Sequence, residues 1–319
     1  MRLALVVVAI LCLNIASTEA AYPNSPIRLV LPFPPGGGTD AFARILGPRL
    51  SEVLGAPVIV DNRPGASGNV AAEIVARAQP NGHTLLMGFS TVMTTNRSLF
   101  VNLSFDPIRD FEPIIQMATA EYFLVVNPTL SIQTVADLVS LAKTRPGKLN
   151  YASAGIASPL HLAGELLKSR ASIDIVHIPY KGGGAGSVAL MTNEVQLGFT
   201  SVASSVELIK SGKLKALAIT GPARSTFFPD LPTMREAGFP DFQVTAWHAL
   251  FAPAGTPSEI ILQVNHATSQ ILKEPEIIKL LHKIGYEPTA TSPQELAAIV
   301  RTESEMWHTV IREAGIRGE

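Results

Sequence analysis

Cysteine is almost absent from this chain: Cys12 is the only one in 319 residues, and it lies in an apolar N-terminal stretch. Everything after it is therefore without a disulfide or a thiolate metal site. Charge is scarce and balanced, with 16% of residues charged and a net charge of -1. That leaves no broad basic field for nucleic acid or an anionic membrane. Beyond the N-terminus no segment is long and apolar enough to cross a bilayer. Catalytic signatures are missing too. Gly65-Ala66-Ser67-Gly68-Asn69 departs by one position from the spacing of a nucleophile elbow, and Gly36-Gly37-Gly38 lacks the Gly-Lys-Ser/Thr ending of a P-loop. No His-Glu-x-x-His and no dinucleotide glycine spacing occur. The reading is of a protein with no catalytic residue, no metal ligands and no cofactor; His161, one turn into a helix, is taken as a structural hydrogen-bonding group.

What is present begins with an address. Met1-Arg2 precedes the apolar run from Leu3 to Leu13, and small residues follow up to Ala20. A charged start, a short apolar core and small residues describe a secretory signal peptide cut near Ala20. The product is expected to be exported. About 300 residues remain, enough for two domains, and 47% hydrophobic residues provide a large core.

The centre of organisation is Pro32-Phe33-Pro34-Pro35-Gly36-Gly37-Gly38-Thr39-Asp40. An apolar run at 27–31 before it suits a buried strand, and helical spacing resumes at Ala41. Three glycines let backbone N–H groups approach a ligand, and the new helix adds unpaired amides and the positive end of its dipole. An anion suits such a loop. Asp40 reads as a helix-start acid, since it would repel an anion. The plan recurs with a strand at 57–61, a loop holding Ala66 and Ser67, and a helix at 70–76. A strand at 84–89 then ends in Ser90-Thr91. Alternating strands and helices predict a mostly parallel sheet with its ligand beyond the carboxyl ends of the strands. Phe33, Gly36, Gly37, Gly38, Thr39, Ala66, Ser67, Ser90 and Thr91 would share that rim.

Further strands are predicted at 121–128, 149–152, 174–179, 195–199, 214–220 and 244–252, with helices at 132–144, from Pro159, and through Met191. Ser158 is a good N-cap and Pro159 a good first helical residue, so the loop at 153–158 delivers a second helix N-terminus. Lys181 reads as a solvated loop lysine. The late helices, 258–272, 277–284 and 293–314, need a sheet to cover and are expected to return to the first domain, making it discontinuous.

On the segments 32–40, 62–72, 155–165, 179–184, 231–238 and 250–257, the sequence resembles the tripartite tricarboxylate transporter substrate-binding proteins, the Bug receptors. The resemblance implies an α/β periplasmic binding protein fold, two lobes flanking a cleft and joined by two crossing hinge strands. Lobe 1 would be 21–124 with 249–319, and lobe 2 would be 125–248. It implies a monomeric periplasmic receptor that closes on a small carboxylate and hands it to membrane permease subunits, with no reaction and no nucleic-acid partner. Two other readings stand beside it: a receptor presenting its ligand to a sensor kinase, and an exported hydrolase. The family's two clamping loops fall at 33–40 and 153–158, which adds Ser153, Gly155, Ala157 and Ser158. Two departures stand out. Ala157 replaces a common glycine, and Thr200 stands at a strand end where many relatives carry aspartate, which argues against an amino acid ligand.

Overall fold

In the computed structural model, residues 22–225 and 228–317 are described; the signal peptide expected at 1–20 lies outside them. β1 (Ile27–Leu31) is buried at four of its five positions. It pairs in parallel with β2 (Val58–Asn62) and with β3 (Thr84–Phe89). The crossovers carry α1 (Gly38–Leu54) and α2 (Asn69–Ala76), and α3 (Ser90–Thr94) and α4 (Asn96–Leu99) follow β3. The longest strand comes next, β4 (Phe111–Val126), then α5 (Val135–Thr144), β5 (Asn150–Ser153), α6 (Pro159–Ala171), β6 (Val176–Pro179) and α7 (Gly183–Met191). After them come β7 (Leu197–Ser201), α8 (Val202–Lys210), β8 (Lys215–Ile219), β9 (Thr245–Pro253), α9 (Ser258–Ile271), α10 (Pro275–Lys283), β10 (Glu287–Pro288) and α11 (Pro293–Glu313).

The strands lie in the order β2-β1-β3-β9-β4-β7-β5-β6, with β8 and β10 also paired to β4. The two wings are parallel, as alternating strands and helices predict. The centre is not: β9 runs antiparallel to both β3 and β4, and β7 antiparallel to β4. β4 belongs to both halves. Its residues 111–121 pair with β9, and from Tyr122 onward its partners are β7 and β8. β4 begins ten residues before the strand expected at 121–128, and this added stretch holds Pro113, a residue that argues against a strand interior. The chain accommodates that proline at an irregularity, with the register shifting between Pro113 and Ile115 and again between Gln116 and Ala118.

Side chains alternate across the sheet, and helices cover both faces. Ile27, Leu29 and Leu31 of β1 join one cluster with Leu46, Val264 and Leu281, while Val30 joins another with Trp247 and Phe251. Further along, Tyr122, Leu124 and Val126 of β4 face Leu162 and Leu166, and Phe123 and Val125 face Leu190 and Val202. α9 and α10 pack on the first half. α11 is shared, since Leu296 and Val300 enter the first half's core and Trp307, Val310 and Ile311 the second's. Its start is fixed by a capping box between Ser292 and Glu295.

Candidate functional site: a crevice between the two lobes

Loops from both lobes line one open crevice of about 790 Å³. The first lobe contributes Phe33 after β1, Ala66 and Ser67 before α2, Thr91 in α3, and Asn96 and Phe100 around α4. The second contributes Ile156, Ala157, Ser158 and Pro159 ahead of α6, and Pro179, Tyr180 and Lys181 after β6. Arg317, beyond α11, completes the wall. Among the described residues the lining holds two basic side chains, Lys181 and Arg317, and no carboxylate.

The backbone is strained where it meets the crevice. Ala66, Ser67 and Ala157 have φ of 45°, 55° and 60°, and they are three of the six described non-glycine residues with positive φ. A left-handed conformation costs an L-residue about 1–2 kcal/mol, and such strain persists only where the surroundings enforce it. The enforcing groups are visible. Asn96 donates from Nδ2 to the Ser67 carbonyl at 3.1 Å and to Asn69 Oδ1 at 2.6 Å. On the opposite loop, the Ala157 N–H donates to His161 Nδ1 at 3.0 Å. His161 stacks on His177 with ring centroids 3.8 Å apart, and His177 Nε2 lies 2.6 Å from Ser153 Oγ. Burial holds both imidazoles below their ordinary range, His177 at about 4, where repulsion from His161 adds to the effect. A neutral His161 leaves Nδ1 free to accept, so the low basicity and the loop geometry support each other.

Phe33, Ala66, Ser67, Thr91, Ala157 and Ser158, all expected from the sequence, line this one crevice. Gly36, Gly37, Gly38, Thr39, Ser90, Ser153, Gly155 and Thr200 lie outside its lining, for reasons that differ. The glycine triplet is exposed, and one of its amides, that of Gly36, donates to Asp40 Oδ2 at 3.0 Å. Asp40 also accepts from Arg44 Nε, and these bonds hold its carboxyl down at about 2. Thr39 does not cap α1, whose N-cap is Gly37; its hydroxyl is buried 2.8 Å from His248 Nε2. Ser90 is buried as the first residue of α3, Ser153 supports its own loop, and Gly155 donates to Ser153 Oγ at 3.1 Å. Thr200 donates to Ser205 Oγ at 2.9 Å under the start of α8. Ser158 is the N-cap of α6, as its sequence position predicts. Lys181 is exposed, yet it stands in the crevice wall.

Sequence reasoning missed Phe89, Asn96, Phe100, Ile156, Tyr180 and Arg317. Asn96 and Phe100 follow a polar stretch in which no helical period is visible. Phe89 could have been inferred from Phe33, against which its ring packs edge to face at 5.4 Å. Arg317 carries no local signal except Gly315 two residues earlier.

Two α/β lobes that share a central strand and meet over a crevice define the class of periplasmic solute-binding proteins. The sequence profile described as tripartite tricarboxylate transporter family receptor matches residues 42–316, and the chain belongs to that family. BugT of Bordetella pertussis is 34% identical over 99% of this chain and 98% of its own length. Among solved structures, R. palustris Rpa4515 with adipate is 36% identical, with a TM-score of 0.76 and coverage of 93% of this chain and all of that one (100%). MatC from Rhodopseudomonas palustris with bound malate is 32% identical, with a TM-score of 0.72 over 91% of this chain and 100% of that one. The family is one of substrate-binding receptors associated with the periplasm. No described helix is long and apolar enough to cross a membrane.

Proposed function

We propose that this chain is a receptor that binds a small organic carboxylate in the crevice and delivers it, unchanged, to the permease of a tripartite tricarboxylate-type transporter. The observation that carries this reading is the convergence of strained loops from two lobes, Ala66-Ser67 and Ala157-Ser158, on a lining with cations and, among the described residues, no carboxylate. Adipate in Rpa4515 and malate in MatC support the same ligand class. Hydroxyls of Ser67, Thr91 and Ser158 would donate to a carboxylate, together with bridging waters. A hydrogen bond to a charged group contributes about 1.5–3 kcal/mol, so a few from each lobe offset ordering and closure. Since each lobe holds only part of the partners, ligand favours the closed arrangement by differential contact. The lobes, 21–124 with 249–319 and 125–248, would turn where β4 exchanges partners near Tyr122. The mature receptor, cut near Ala20, would act as a periplasmic monomer.

The test is a thermal-shift screen of the mature chain against mono- and dicarboxylates, then calorimetry and a check that the ligand is recovered intact. Binding at 100 times Kd should stabilise the protein by about 2.7 kcal/mol. Silence across all acids, with binding of sugars or cations, would reject the reading; steady consumption of ligand would reject the receptor role.

A further inference from the structure

The crevice wall carries two positive side chains from two different elements, and a single carboxylate would neutralise only one of them. Lys181 lies in the loop between β6 and α7, and Arg317 lies beyond the end of α11. Neither has an acidic partner among the described residues. Glu194, the nearby acid, accepts the Tyr180 hydroxyl at 2.8 Å and is not part of the lining.

Arg317 is set in place by the way α11 ends. Gly315, at φ 64°, turns the chain back; its N–H reaches the Arg312 carbonyl at 3.3 Å, and the Ile316 N–H reaches the Ile311 carbonyl at 3.0 Å. That pair of bonds is a Schellman closure. The accompanying apolar contact is present as well, since Ile316 packs on the core cluster that holds Trp307, Val310 and Ile311. Arg317 is therefore the first residue after a fixed turn, placed in the crevice wall with no hydrogen-bond or ion-pair partner among the described residues. Beyond it, Arg317 and Phe100 also wall a second groove of about 840 Å³ with Val101, His308 and Arg312. The cation thus stands at the boundary between the two spaces, where the far end of an elongated ligand would arrive. A planar guanidinium is matched to a carboxylate, which it can bind through two parallel hydrogen bonds.

We infer that Arg317, assisted by Lys181, reads a second negative charge on the ligand and so sets the preference for a diacid over a monoacid. This rests on the carboxylate-receptor reading and assigns to the C-terminal tail a specificity role at that site. The carboxylate nearer Ser67, Thr91 and Ser158 would be held by hydroxyls and bridging waters, and the other by the cations.

The experiment uses unbranched diacids from succinate to suberate, each against its own monomethyl ester, by calorimetry on the wild type, R317Q and R317K. Melting of each unliganded variant checks the fold. A charge-assisted pair contributes roughly tenfold or more in affinity. The wild type should prefer its best diacid over the ester by about that factor, R317Q should collapse the ratio towards one, and R317K should restore part of it. An unchanged ratio in R317Q, or a wild type that binds ester and diacid equally, overturns the inference while leaving the receptor reading intact. Failure of every acid and ester to bind overturns that reading and the inference together.

Discussion

Gly164, in the middle of α6, sets two physical effects against each other. By helix propensity alone, Gly164→Ala should stabilise the protein by about 0.8–1 kcal/mol. The packing argues the opposite. A Cβ there would fall 2.6 Å from Cζ and 2.8 Å from Cδ2 of Tyr151, with Cε2 nearer still. Carbon atoms rest about 3.5–4 Å apart, so the ring would have to retreat by roughly an ångström. Its escape is blocked, because Tyr151 is 0% exposed, donates to Glu165 Oε1 at 2.7 Å, and stacks on His177 at 4.9 Å. Overpacking of this kind costs about 1–3 kcal/mol and occasionally more, and so close a contact belongs at the upper end. The net expectation is a loss of about 2 kcal/mol, which for a chain of this length is a fall in Tm of about 3 °C. Urea and thermal melts of the purified variant measure it. Because the displaced ring presses on the His177–His161 stack behind the second loop, carboxylate affinity should fall as well. In a Tyr151→Leu background the same substitution should revert to the small helical gain. A Gly164→Ala variant that melts at or above the wild type refutes the reasoning.

Ala157→Gly should relieve the left-handed strain of about 1–2 kcal/mol, while the added freedom of the unfolded chain returns about 0.4–1 kcal/mol. A gain of up to about 1 kcal/mol in urea melts follows, and a clear loss would show that the φ of Ala157 is not strained. Glu121 lies on β4 at the partner exchange, its carboxyl pushed up to about 7 by burial and by repulsion from Glu287. A raised carboxyl favours its protonated form in the fold, so its contribution is fully present below about 4.5 and is lost as pH rises through about 7. Glu121→Gln should match the wild type near pH 4 and exceed it by about 1–3 kcal/mol at pH 8. Glu303, also raised to about 7, titrates in the same window, so the comparison must be between the two proteins at each pH. Equal pH profiles would show that the Glu121 carboxyl is not raised by folding.

The parts of this fold that were legible in the sequence are those fixed by neighbours along the chain. The buried runs of β1 and β3, the Ser158-Pro159 start of α6 and the loops at Ser67 and Ala157 each carry a local signature, because caps, turns and strand periodicity act within a few residues. Where a distant partner decides, local reasoning gave a different result. Thr39 stands beside the glycine loop, where the sequence places it on the ligand rim, but its hydroxyl meets His248, 209 residues away, in a pocket of Phe42, Phe89 and Tyr286 rings. Thr200 looks like a group at a cleft edge, but a hydroxyl buried under α8 satisfies itself on Ser205 before any ligand arrives. The first ten residues of β4 hold Pro113, whose cost is absorbed by a register shift that only the partner strand reveals. The same logic explains why the sequence pointed to loops that line the crevice but not to Asn96 and Arg317 in its wall, while His161 was read as the structural hydrogen-bonding group that it is. The loops are strained, and strain must be enforced by groups outside them: Asn96 on Ser67, His161 on Ala157. On the proposed carboxylate-receptor reading, recognition would depend on residues that hold the loops as well as on the loops themselves. Substitutions at Asn96 or His161 should weaken ligand binding through the shape of the crevice, although neither position carries a binding motif.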